Sequence, residues 1–86
     1  MKNLIGNTPL IKISDKIYAK LETYNPSGSI KDRMAHYILT HARKSGRLKP
    51  GDTIVEATSG NTGIAMSMLG AAMGHPVIII MPRNMS

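Results

Sequence analysis

"TIVEATSGNTGIAMSMLGAAMGHPVIIIM", Thr53 to Met81, is the stretch on which the fold turns. It opens with "TIVEA", a short run rich in β-branched residues that reads as a strand. The small, polar "TSGNTG" (Thr58 to Gly63) follows. From Asn61 to Met73 the apolar Ile64, Ala65, Met68, Leu69 and Ala72 recur at helical spacing, and "MGHP" ends the pattern. "VIIIM" is then an apolar run of strand length, of the kind buried on both faces of a parallel sheet. A strand, a helix and a strand in that order imply a right-handed crossover and a parallel pair. The fold class is therefore α/β.

Upstream, "NPSGS" (Asn25 to Ser29) leads into a second helical pattern from Ile30 to about Lys44. Ile30, Met34, Tyr37, Ile38 and Ala42 fall near one face of it. Ser29 is the expected N-cap, with Asp32 three places on in the manner of a capping box. Arg43 and Lys44 fill the last turn and Gly46 is the expected residue just past the end. Nearer the N-terminus, "TPLIKI" and "KIYAKL" alternate and are parted by the turn-like "SDK", which predicts a strand pair. "KPGD" turns the chain between the first helix and "TIVEA".

Composition narrows the function classes. The 86 residues suffice for one small core. There is no cysteine, which excludes disulfides, thiolate metal sites and cysteine nucleophiles and fits a reducing cytoplasm. Phe and Trp are absent and seven Met help to fill the interior, a composition suited to a piece of a larger core. The formal charge of +6 invites a nucleic-acid reading. Its basic residues are scattered, however, and no aromatic residues interleave with them to stack bases. The one concentration, "HARKSGRLK" (His41 to Lys49), coincides with a helix C-terminus, where cations are favoured. "MKNLIGNTPL" has no apolar signal core, so secretion is not expected. Ala57 to Pro82 carries no Asp, Glu, Lys or Arg, but its polar residues and "GHP" divide it into a helix and a strand rather than a membrane span.

Two places carry chemistry. A strand that runs through a glycine-containing loop into a helix offers free backbone N–H groups and a positive dipole end, which together bind an anion. In "TSGNTG", Thr58, Ser59 and Thr62 add hydroxyls, Asn61 adds an amide, and Gly60 and Gly63 allow close approach. With no Lys or Arg in the loop, a carboxylate suits it better than a triphosphate, and the P-loop pattern is missing. As a plain strand-to-helix turn the same residues would need no ligand. The second place is Lys31, a cation at the start of a helix, where carboxylates are usual. Read structurally, it is a tolerated surface lysine. Read functionally, the positive helix end favours the neutral amine, a nucleophile toward aldehydes and a general base.

"IGNTPL" (Ile5 to Leu10), "NPSGSIKDR" (Asn25 to Arg33), "EATSGNTGIA" (Glu56 to Ala65) and "MPRNMS" (Met81 to Ser86) occur in this order. Together they resemble the N-terminal part of the cysteine synthases, or O-acetylserine sulfhydrylases, which are related to the cystathionine β-synthases. The resemblance covers essentially the whole chain. It implies pyridoxal 5'-phosphate as cofactor and part of a fold-type-II, tryptophan synthase β-like architecture. Residues 1–30 would then be large-domain strands and loop, and 31–86 the lysine-bearing helix and the start of the small domain. Lys31 matches the lysine that bonds the cofactor aldehyde and later serves as acid and base at the substrate α-carbon. Asn61 matches the residue that hydrogen-bonds the cofactor's phenolic oxygen. Thr58, Ser59, Gly60, Asn61 and Thr62 match the loop that grips the substrate carboxylate. The implied reaction is β-replacement, in which O-acetylserine or a similar activated serine reacts with sulfide through an aminoacrylate to give cysteine.

Members of this family are around three times longer. The loop that binds the cofactor phosphate and the late serine that contacts the pyridine nitrogen have no match in these residues. The implied partners are an amino-acid substrate and sulfide, with a homo-oligomer or a complementing chain to complete the site. No membrane or nucleic acid is implied. The alternatives are a non-catalytic self-association module and a basic nucleic-acid-binding fragment.

Overall fold

The computed structural model describes residues 4–58 and 60–81. Two strands, β1 (Leu10–Ser14) and β2 (Ile17–Lys20), form an antiparallel hairpin with a register shift between Lys12 and Ser14. A short 3-10 turn (Glu22–Tyr24) follows, then the helix α1 (Lys31–Lys44). Next come the strand β3 (Ile54–Ala57), the helix α2 (Asn61–Ala72) and the strand β4 (Val77–Ile80). β3 and β4 pair in parallel, Ile54 opposite Val77 and Ala57 opposite Ile80. The crossover unit read from the sequence is thus present, with each element within a residue or two of its expected place.

The core lies where α2 meets the two parallel strands on one side and α1 on the other. Ala35 and Leu39 of α1, Ile54 of β3, and Ala65, Met66 and Leu69 of α2 make up its buried cluster. Small residues permit this closeness. A Cβ on Gly70 would lie 2.5 Å from Val77 Cγ2 and 3.1 Å from Ile54 Cδ1, so at that point the helix backbone itself rests on the sheet. Gly60, at φ +64, makes the bend from β3 into α2 that a side chain would resist.

Three expectations are corrected by the packing. In α1, Ile30, Tyr37 and Ile38 are 54%, 63% and 44% exposed, while Asp32, Ala35 and Leu39 are buried. Small Ala35, rather than the bulkier apolar stripe, sets the face that approaches α2. β4 is covered on one side only, with Ile78 and Ile80 on the open face beside Val55. The N-cap also differs. Ile30 stands at the cap position and already curves as helix, and the Arg33 N–H bonds its carbonyl at 3.1 Å. The Asp32 carboxylate pairs with Ser27 rather than Ser29, accepting its backbone N–H at 2.8 Å and its hydroxyl. Ser29 Oγ accepts the N–H of Lys31 at 3.2 Å. Gly46, at φ +80, ends α1 as expected.

The whole is flat, with extents of 48 × 36 × 17 Å. Its radius of gyration of 15.0 Å exceeds the roughly 12 Å of a compact chain of this length. The hairpin projects from the helical body, and Ile11, Ile13 and Ile17 on it are 42%, 64% and 55% exposed. Among the described residues, no helix is long and apolar enough to cross a membrane.

Candidate active site

Lys31 is the first residue of α1 and Asn61 the first of α2. Residues four apart on a helix share a face. Lys31, Ala35 and Leu39 therefore form one stripe, and Asn61, Ala65 and Leu69 another. The inner two members of each stripe belong to the common core. Each candidate residue extends its stripe by one turn at the N-terminal end.

The direction of the two helices follows from a second contact. His75, three residues past the end of α2, is buried and lies 3.2 Å through Nε2 from Arg43 Nη1 in the last turn of α1. Its Nδ1 lies 2.8 Å from the carbonyl of Asp52. Arginine can only donate, so these partners assign a neutral imidazole that accepts at Nε2 and donates from Nδ1. With their C-terminal ends joined and their middles packed, the helices run side by side in one direction. Their N-termini, and with them Lys31 and Asn61, face the same end of the molecule.

That end has the character of an anion site. Among the described residues no side chain caps α2 at Gly60, and the first N–H groups of a helix have no partner within it. Its chain neighbours aside, no described residue comes within 4 Å of the point where a Cβ of Gly60 would stand, which leaves room for a ligand to approach. Thr58 and Thr62 are half-buried and Asn61 is exposed. The Thr58 N–H bonds the Ile80 carbonyl at 3.0 Å, which ties the loop to β4. Ser59 and most of "MPRNMS" lie outside the described residues. Beside the loop, Gly60, Gly63, Ile64, Ser67, Met68 and Ile79 line a largely apolar groove of about 690 Å³. The half-buried Lys31 amine makes no hydrogen bond or ion pair with any described residue. A free amine and an open glycine turn suit the aldehyde and the carboxylate of the implied cofactor and substrate, while Lys31 is not among the residues that line the groove. Among the described residues there is no group of three or more His, Asp or Glu that could hold a metal.

A polar network behind Lys31 was not legible in the sequence. Asn25, almost fully buried, accepts the Gly6 N–H at 2.8 Å and donates to the Glu22 carbonyl at 2.9 Å and to Glu22 Oε1 at 3.0 Å. Glu22 also accepts Arg33 Nε at 2.7 Å, Arg33 Nη2 at 3.2 Å and the Thr8 hydroxyl. Thr8 in turn takes Lys20 Nζ on its carbonyl at 2.6 Å. The hydrogen bonds from Arg33 and then Thr8 hold the Glu22 carboxyl down at about 2, and the same pairing raises Arg33. "IGNTPL" and "NPSGSIKDR" are thereby one structural unit. A lone glutamate eleven residues before an arginine gave no signal of this.

The model of the family described as "Pyridoxal-phosphate dependent enzyme" matches residues 1–86. Cysteine synthase B of Salmonella typhimurium is 47% identical over 93 residues, covering 100% of this chain and 31% of the relative. Cystathionine beta-synthase of Apis mellifera is 50% identical over 91 residues, covering 95% of this chain and 18% of the relative. The crystal structure of O-ureido-L-serine synthase superposes with a TM-score of 0.90 at 43% identity, over 98% of this chain and 28% of that one. The chain thus spans less than a third of the length of these relatives. From Lys31 at one helix start to the glycine turn at the other, it belongs to the pyridoxal-phosphate-dependent enzymes.

Proposed function

We propose that this chain is the amine-bearing and carboxylate-gripping part of a β-replacement enzyme of the cysteine synthase type. One observation carries the reading: Lys31 and Asn61 each extend a packed stripe by one turn at the same end of a helix pair. The Lys31 amine would bond the aldehyde of pyridoxal 5'-phosphate. Once released, it would take the α-proton of the amino acid and return one to the product. Asn61 would hold the phenolic oxygen of the cofactor. The loop Thr58, Ser59, Gly60, Asn61 and Thr62 would hold the substrate carboxylate on backbone N–H groups and hydroxyls, supported by the helix dipole. The bound cofactor supplies an electron sink for the carbon that loses its proton. The substrate class is an activated serine such as O-acetylserine, with sulfide as the incoming nucleophile and cysteine as the product, in the cytoplasm. Residues 1–30 would belong to a large domain and 31–86 would begin a small one.

Incubation with pyridoxal phosphate, borohydride reduction and mapping of the adduct by mass spectrometry tests this. The expected result is a label concentrated on Lys31; a label no heavier there than on Lys16 or Lys49 refutes it.

The remaining sequence of such an enzyme, another copy or a complementing chain would complete the site. The open faces support this. The accessible surface is 6054 Å², about 1,000 Å² above the roughly 5,000 Å² of a compact monomer of this mass. A standard interface buries about 800 Å² per partner. If these faces serve self-association alone, sedimentation will show concentration-dependent association without the adduct at Lys31. A monomer at every concentration refutes self-association.

A further inference from the structure

Lys31, Asp32 and Arg33 are each anchored backwards, to Ser29, Ser27 and Glu22 in turn. The third anchor differs from the others in its reach. Ser27 and Ser29 are local to the loop, whereas Glu22 also binds Thr8 and Asn25 and so fixes α1 to the body that carries the hairpin. Residues two apart on a helix point about 200° apart. Arg33 therefore projects on the side of α1 nearly opposite Lys31, and gripping one sets the direction of the other. A first turn is the part of a helix most prone to fray, and Lys31 is the first residue of this one. Two-point hydrogen bonding from Arg33 Nε and Nη2 to a carboxylate fixes orientation as well as distance.

We propose that Glu22, acting through Arg33, is a positioning residue that aims the Lys31 amine along the α1–α2 stripe. This rests on the reading of Lys31 as the amine that bonds the cofactor aldehyde. Glu22 stays ionised well below neutral pH, so the grip is constant.

The test compares the wild-type chain with Glu22→Gln, Arg33→Lys and the double variant Glu22→Gln/Arg33→Met. Each is incubated with pyridoxal phosphate across a pH series, reduced with borohydride and mapped, with Lys16 and Lys49 as internal references. Amide hydrogen exchange of residues 31–33 is read beside that of Met66 and Leu69 as a packing control. Glu22→Gln is expected to lower the Lys31 share on the order of tenfold and to shift its pH profile, within the hundredfold that a misplacement of about 1 Å can cost. Exchange should quicken in residues 31–33 and stay unchanged at Met66 and Leu69. Arg33→Lys, which keeps the charge but loses the fork, should fall between wild type and Glu22→Gln. The double variant leaves no unpaired charge, so it reports on position if Glu22→Gln alone fails to fold. A wild-type preference for Lys31 that survives in the folded variants overturns the positioning role and leaves the proposed function standing. No preference in the wild type overturns the proposed function, and the positioning role with it.

Discussion

Replacing Gly70 by alanine sets two known effects against each other. In an exposed helix interior the change gains about 1 kcal/mol, because alanine is the better helix former. Here the new Cβ would stand 2.5 Å from Val77 Cγ2 and 3.1 Å from Ile54 Cδ1, against an optimum of about 3.5–4.0 Å for carbon pairs. Ile54 can swing its terminal methyl aside. Val77 cannot do so easily, since a β-branched side chain is stiff at χ1 and its strand is paired in register with β3. The helix must therefore lift by about 1 Å, and overpacking of this kind costs about 1–3 kcal/mol. The balance is a net loss of about 1 kcal/mol, which for a domain of this size lowers the melting midpoint by about 4–8 °C. Urea denaturation followed by far-ultraviolet circular dichroism measures it. Gly63→Ala in the same helix is the control, because its Cβ would meet Thr58 Cγ2 at 3.4 Å and Ile79 Cγ2 at 3.5 Å, near ordinary contact. It should cost nothing or gain up to about 1 kcal/mol. Adding Val77→Ala to Gly70→Ala removes the obstructing methyl. The cycle should then show a favourable coupling of at least about 1 kcal/mol, beyond the roughly 0.5 kcal/mol scatter of independent sites. A Gly70→Ala chain as stable as the wild type, or a cycle without coupling, would refute the close helix-to-sheet approach.

Lowering the pH should weaken the fold through Glu22. Its carboxyl sits at about 2 in the folded chain against an ordinary 4.5, so its stabilisation is complete above 4.5 and is lost as the pH falls from there toward 2. Urea midpoints across that range should fall less steeply in Glu22→Gln; equal slopes would remove Glu22 as the cause. Asp32→Ala leaves the half-buried Ser27 N–H without its acceptor and should cost about 1–3 kcal/mol, with Asp32→Asn costing less, both read from denaturation midpoints. For His75, nitrogen NMR should show a neutral ring protonated at Nδ1. His75→Ala, which orphans the Asp52 carbonyl and the Arg43 guanidinium, should cost about 2 kcal/mol; a loss within experimental error would mean that the C-terminal ends of the helices are held by other contacts.

The sequence was most legible where a single segment determines its own structure. β3, α2 and β4 appear at Ile54, Asn61 and Val77 because β-branched runs, a glycine turn and helical spacing are local signals. The faces of α1 were misjudged for the opposite reason. Ile30, Tyr37 and Ile38 make the more apolar stripe, yet the core takes Ala35 and Leu39, since the choice depends on what packs alongside. Asp32 was expected to pair with Ser29. It pairs with Ser27 instead, while Ser29 accepts the Lys31 N–H, a difference of conformation rather than composition. Lys31 and Asn61 were legible as a resemblance, and helical spacing alone would have linked them to their stripes. Glu22 and His75 were not, because Arg33, Thr8 and Arg43, with which they pair, lie eleven to thirty-two residues away and are chosen by the tertiary fold.

The same contacts explain how a chain with few buried residues can hold a site in place. α1 and α2 touch through Ala35, Ala65 and Leu69, and α2 meets the sheet through Gly70, so the layers approach closely without large side chains. Close approach alone would let the helices slide along each other. Arg43 and His75 prevent this at the C-terminal end, and the Glu22 network anchors α1 at the other. Between these two fixed points, and among the described residues, the N-terminal turn of α2 has no side-chain cap and the Lys31 amine has no partner. Both unmet groups lie at one end, the amine suited to an aldehyde and the helix start to a carboxylate. An amino acid bound through such a cofactor presents its carboxylate within a few bonds of the carbon joined to that amine. On the proposed function, two helix starts held side by side would answer both groups of one ligand, which a lysine and a loop on independently moving segments would not.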